Sequence, residues 1–204
     1  MVHRQLRRRD ITDERVLAAM LEIPREEFVP LESRVEAYGD APVHIGYGQT
    51  ISQPYMTALM AEVLELHGGE TVLEIGAGCG YAAAVLGMLA ARVITVEIVE
   101  PLAQLARDNL KRTGRAANVA VVSGDGSGGY AAEAPYDAIS VAAGAPSIPA
   151  ALVEQLRDPG ILAIPVGAFE DQELRVVRKH EGRIESRIAT LCRFVPLRGG
   201  EGWC

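Results

Sequence analysis

A chain of 204 residues, 49% hydrophobic and 23% charged, can bury a sizeable core in one domain and is not composed like a disordered segment. Its net charge of −7 excludes a general nucleic-acid binder; the local exception, Arg4, Arg7, Arg8 and Arg9, reads as a solvated face rather than a phosphate-binding patch. No apolar run approaches the ~20 residues of a membrane span, the polar start excludes a signal peptide, and Cys79, Cys192 and Cys204 are too dispersed for a disulfide framework or a metal site, so a cytoplasmic protein is expected.

Thr12 is placed to cap a helix with Asp13 and Glu14 in its first turn. Val16, Leu17, Met20 and Leu21 fall on one face, and Pro24 ends it. Residues 25–28 and 31–38 read as short helical turns around Pro30. Residues 41–54, holding Pro42, Gly46, Gly48 and Pro54, are too rich in glycine for a helix and too polar for a core strand, which leaves a loop. A helix then starts at Pro54, with Met56, Leu59, Met60, Val63 and Leu64 at helical spacing and Ser52 or Gln53 as its N-cap.

From Thr71 the pattern alternates. Strands are expected over 71–75, 93–97, 119–122, 136–142 and 161–166, and helices over 81–91, 102–112 and 149–156, with a turn at Pro159-Gly160. This is an α/β fold: a doubly wound, mostly parallel sheet with helices on both faces. Residues 173–180 and 183–195 flank Glu181-Gly182 and read as an antiparallel hairpin closing one sheet edge. The chain is read as a single domain, with N-terminal helices and a ligand loop in 1–70 and a cofactor-binding α/β core in 71–204.

Gly76, Gly78 and Gly80 turn the first strand into the alanine-rich helix. A turn with so little side chain lets a ligand lie against bare backbone at a helix N-terminus, or simply packs closely. Two acids follow at the next strand ends: Glu97, suited to two ribose hydroxyls, and Asp125-Gly126, suited to a base edge. The dinucleotide fingerprint needs a small sixth residue, where this chain has Tyr81. Glu74, just before the turn, would sit badly beside a pyrophosphate and well beside a ligand carrying an ammonium and a sulfonium. S-Adenosyl-L-methionine is therefore favoured over NAD or FAD. The run Glu74-Ile75-Gly76-Ala77-Gly78-Cys79-Gly80 resembles motif I of the Rossmann-like class I methyltransferases, with Glu97 and Asp125 at their later acidic positions.

The residues from Gly46 through Tyr47, Gly48, Gln49, Thr50, Ile51, Ser52 and Gln53 to Pro54 and Tyr55 resemble the signature loop of the protein-L-isoaspartate (D-aspartate) O-methyltransferases. Arg25-Glu26-Glu27-Phe28-Val29-Pro30, Ile148-Pro149-Ala150-Ala151-Leu152, Ile164-Pro165-Val166-Gly167 and Phe194-Val195-Pro196-Leu197 are similar to further blocks of that family, so the resemblance covers the chain. It implies transfer of methyl from S-adenosyl-L-methionine to the free α-carboxylate of isoaspartyl residues in damaged proteins and peptides. The products are S-adenosyl-L-homocysteine and a methyl ester that converts to succinimide. It also implies no metal, no nucleic-acid or membrane partner, and a monomer. Ser52 and Thr50 become the catalytic residues. Gln49, Thr50, Ile51, Ser52, Glu74, Gly76, Ala77, Gly78, Gly80, Glu97, Ile98, Asp125 and Gly126 become the cofactor-binding set. Ser52 is not read as a nucleophile, since His44 and His67 form no triad with it. The chain departs from the family at Ala77, Cys79 and Ala142, where hydroxyl residues are common. Two other readings stay open: a methyltransferase acting on a small molecule or tRNA, and a non-catalytic relative that binds the cofactor or a partner protein.

Overall fold

The computed structural model describes residues 1–114 and 117–203; Cys204 lies outside the described residues. Seven strands form one sheet in the order β5-β4-β3-β6-β7-β8-β9. β3 (Thr71–Ile75), β4 (Arg92–Glu97), β5 (Val119–Ser123), β6 (Tyr136–Val141) and β7 (Leu156–Gly167) run parallel. β8 (Gln172–His180) and β9 (Arg183–Cys192) add the expected antiparallel hairpin at one edge.

Strand alternation divides the core in two. Val72 and Val93 face one layer with the helices α1 (Glu14–Glu22), α2 (Pro54–Val63), α3 (Tyr81–Leu89) and α4 (Glu100–Thr113). Leu73, Ile75, Ile94 and Val96 face the other, where α5 (Ala150–Gln155) contributes Leu152. The two-sided packing explains why these strands read as nearly continuous apolar runs.

Four expectations change. Asp13, not Thr12, caps α1: its Oδ1 accepts from the Arg15 and Val16 amides at 2.8 and 3.4 Å, while the Thr12 amide donates to Glu62 Oε1 at 2.6 Å. Leu21, expected on the buried face, is 68% exposed, and Ala19 takes its place in the core. Pro159-Gly160 is not a turn between elements but part of β7. Tyr136 pairs with Leu156 and Ala138 with Ile161, so the intervening residues are absorbed as a bulge against β6.

The fourth change concerns residues 41–54, which contain a hairpin rather than a plain loop: β1 (Val43–Gly46) pairs antiparallel with β2 (Gln49–Ile51). Tyr47 (φ 53°) and Gly48 (φ 70°) make its two-residue turn, with positive φ at both central positions as the I′ class requires. Val43, Ile45 and Ile51 are buried while His44 and Gly46 are exposed, so half of the composition that argued against a strand is its solvent face. Gln53 is the N-cap of α2, with Pro54 in its first turn.

Candidate active site

Strand order reverses between β3 and β6, and a cleft of about 810 Å³ opens at the carboxyl ends of these strands. Five stretches wall it: Gln49, Thr50, Ile51 and Ser52 from the hairpin and the residue after it; Gly76, Ala77 and Gly78 from the glycine turn; Glu97 at the end of β4 with Ile98 and Val99 beyond it; Ala142 and Ala143 after β6; and Val195, Pro196, Leu197 and Arg198. Gly126 completes the floor.

The turn is built by positive φ at Gly76 (94°), Gly78 (54°) and Gly80 (87°). Glu97 braces it. Its Oε2 accepts from the Gly78 amide at 2.8 Å and its Oε1 from the Val99 amide at 3.0 Å. A carboxylate has about four acceptor sites, so two remain for a ligand's hydroxyls. Ser52 follows β2 directly, and its hydroxyl makes no hydrogen bond among the described residues. It stands beside the N-terminal turn of α2, from which Thr57 also reaches the cleft.

Three residues of the expected set lie elsewhere. Gly80 is the N-cap of α3, where a Cβ would stand 3.2 Å from the Ala106 carbonyl oxygen; it is the glycine that lets α3 approach α4. Asp125 does not reach the cleft. Its oxygens accept from the Ser127 and Gly200 amides at 2.8 and 2.9 Å, which anchors the segment after Leu197 to the turn after β5. Trp203 fastens the same segment from its other end, donating to the Gly144 carbonyl at 2.9 Å and stacking on Phe169.

Glu74 lies behind the cleft, because strand alternation turns it to the face that packs on α2 and α3. Register aligns it with Thr95 on β4 and Ser140 on β6, so three polar side chains form a row across the buried sheet. Thr95 donates its hydroxyl to Glu74 Oε2, and Oε1 has no partner. A small cavity bounded by Glu74, Ser140, Thr57 and Ser52 separates this row from the cleft. Burial pushes the Glu74 carboxyl up to about 8, so it is mainly neutral near pH 7. The charge argument that used Glu74 to choose the cofactor therefore loses its premise in this geometry. Cys79 is a buried filler, its thiol pushed up to about 11 by burial. His44 and His67 are exposed and outside the cleft.

Thr57, Val99, Ala143 and residues 195–198 belong to the cleft but not to the expected set. Only Phe194-Val195-Pro196-Leu197 had a signal, as a block of family resemblance with no role attached. Among the described residues no acidic, histidine and cysteine cluster could hold a metal, and no helix is long and apolar enough to cross a membrane.

The cleft fits S-adenosylmethionine: bare backbone at Gly76 and Gly78, and a carboxylate with spare acceptor capacity. Comparison with known proteins points the same way. The protein-L-isoaspartate(D-aspartate) O-methyltransferase (PCMT) family matches residues 1–202. The chain is 51% identical over 203 residues to the protein-L-isoaspartate O-methyltransferase of Koribacter versatilis, covering all of this chain and 91% of that one. It is 52% identical over 204 residues to that of Methanoculleus marisnigri, covering all of this chain and 92% of its relative. A solved structure of a Plasmodium falciparum beta-aspartate methyltransferase (PCMT) in complex with S-adenosyl-L-homocysteine superimposes with a TM-score of 0.82 at 28% identity, covering 97% of this chain and 96% of that one. The chain belongs to the protein-L-isoaspartate O-methyltransferase family.

Proposed function

We propose that the cleft is the site at which this protein-L-isoaspartate O-methyltransferase does its work, with Glu97 holding the cofactor ribose and Ser52 receiving the α-carboxylate of an isoaspartyl residue. The enzyme transfers methyl from S-adenosylmethionine to that carboxylate in damaged proteins and peptides. The methyl ester then converts to succinimide. The observation that carries the site assignment is the shared wall: the acceptor-choosing loop and the glycine turn line one cleft, with Ser52 and Glu97 both open to it.

When bound, the cofactor supplies an electrophilic methyl group on a sulfonium. A carboxylate with a pKa near ~4 is already ionised at neutral pH, so the protein has no proton to remove. Its task is orientation and exclusion of water. The Ser52 hydroxyl donates to one carboxylate oxygen, leaving the other to form the new C–O bond as the S–CH3 bond breaks. The N-terminus of α2 adds positive potential beside it. Ile51, Ile75, Val195 and Leu197 supply an apolar wall. Thr50, paired with His44 across the hairpin, holds the register that presents Ser52.

The reading extends to a cytoplasmic monomer, one domain in residues 1–204, that engages neither nucleic acid nor membrane; the net charge of −7 supports the former exclusion. Labelled S-adenosylmethionine offered with an isoaspartyl peptide and its aspartyl twin tests the reaction. Label is expected on the isoaspartyl peptide alone, and equal labelling of the two would overturn the assignment.

A further inference from the structure

Arg25 is the largest side chain that is completely buried, and no carboxylate pairs with it among the described residues. Burying a cation without a counter-ion is costly, and an apolar side chain of similar volume would fill the space at less cost. The neighbours of the guanidinium show what the charge is used for. Its Nε donates to the Ala37 carbonyl at 2.6 Å, and its Nη2 donates to the Ser52 carbonyl at 2.6 Å. Its plane lies over the Tyr81 ring, 4.8 Å from the centroid, while Nη1 has no partner. Tyr81 is the first residue of α3, directly after the glycine turn.

Ser52 sits in the two-residue gap between β2 and α2, so neither a sheet ladder nor a helix fixes its carbonyl. Gln53, the N-cap, adds no side-chain cap of its own. Arg25 is the group that holds this peptide. Because the peptide is planar, holding the Ser52 carbonyl orients the whole Ser52–Gln53 peptide plane and so restrains the Cα–Cβ direction of Ser52, leaving χ1 to place the hydroxyl. The same guanidinium is seated on Tyr81, so the acceptor loop and the cofactor turn are tied through one rigid fork.

We propose that Arg25 is a positioning residue for methyl transfer: it locks the Ser52–Gln53 peptide against the start of α3, so that the Ser52 hydroxyl meets the carboxylate in register with the methyl donor. The inference rests on the role given to Ser52 above.

A double-mutant cycle with Arg25→Lys and Ser52→Ala tests it, read as kcat with an isoaspartyl peptide and as Kd for S-adenosylhomocysteine, below each variant's melting temperature. Lysine keeps the charge but lacks the planar fork whose Nε and Nη2 reach the two carbonyls from one rigid group stacked on the ring. Arg25→Lys is expected to lower kcat on the order of ten- to a hundredfold, with Kd held within about threefold. In the Ser52→Ala background the same change should cost less than about twofold, since the hydroxyl it positions is gone. Equal losses in both backgrounds would overturn the proposal while leaving Ser52 in place. A Ser52→Ala enzyme with unchanged kcat would remove the role of Ser52 itself, and the proposal with it. If Arg25→Lys does not fold, Arg25→Gln, which retains one amide donor, carries the same cycle; failure of both to fold assigns Arg25 to folding alone and overturns the inference.

Discussion

Glu97 performs two tasks at once, and separating them is the sharpest test of the cleft. The carboxylate is 5% exposed and accepts from two amides, those of Gly78 and Val99. Glu97→Ala leaves both amides without an acceptor, at about 1–3 kcal/mol each, so the turn itself loosens and any loss of affinity is ambiguous. Glu97→Gln is more informative. It keeps the volume and one acceptor, but its NH2 faces an amide donor and can no longer accept from a ribose hydroxyl. Losing one charge-assisted acceptor and gaining one mismatched donor removes roughly 2–3 kcal/mol from cofactor binding, a factor of about 30–150 in Kd. Titration calorimetry with S-adenosylhomocysteine measures this directly, with thermal unfolding of the free protein as the control for the turn. Binding within threefold of the parent, together with a lowered melting temperature, would show that Glu97 is a brace and no ligand to the ribose.

Gly80→Ala forces a Cβ to within 3.3 Å of the Ala106 backbone at φ 87°, so stability should fall by about 1–3 kcal/mol and the melting temperature by roughly 3–10 °C, seen by calorimetry. Because Gly80 faces α4, affinity of the folded variant for S-adenosylhomocysteine should stay near that of the parent. Glu74 gives a pH dependence whose sign is fixed by its raised value. The folded state keeps the proton that an unfolded carboxyl releases near ~4.3, so stability falls as pH rises towards about 8. Glu74→Gln should flatten that decline, and urea unfolding at pH 5 and pH 8 checks it; parallel curves for the two proteins would contradict the neutral carboxyl. Gly199→Ala places a Cβ 2.0 Å from Asp125 Oδ1. An opening cost lowered by ~1–2 kcal/mol should speed tryptic cleavage after Arg198 about 5–30-fold, followed by mass spectrometry.

Local signals in the chain were read correctly where one principle acted alone. The β-branched runs from Thr71 onward became the parallel strands, and the Glu181-Gly182 turn became the edge hairpin. Reading failed where two effects competed. Residues 41–54 looked like a loop because the hairpin buries one face only and carries one glycine in its turn and another at the end of β1. Pro159-Gly160 looked like a break because a bulge in a parallel strand has the composition of a turn. In the site, the glycine turn and Glu97 were legible from residue type and spacing, whereas the loop carrying Ser52, which lines the same cleft, stood out only by its resemblance to a family. Glu74 was misplaced because alternation, which decides the face of a strand residue, outweighs its nearness in sequence to the turn. The wall at residues 195–198 carried a family resemblance but no hint of its role, since only tertiary folding brings it to the cleft.

The anchoring of Asp125 bears on the ageing of the enzyme itself. Asp125-Gly126 is the kind of pair in which isoaspartate arises most readily, since a glycine offers no side chain to hinder its backbone nitrogen from attacking the preceding side-chain carbonyl. Here the Ser127 and Gly200 amides hold the two carboxylate oxygens, and rotation towards the Gly126 nitrogen requires both bonds to break. The folded chain thus shelters one of its own vulnerable bonds from the lesion it mends in others, and that shelter lasts as long as the segment from Gly199 to Trp203 stays docked.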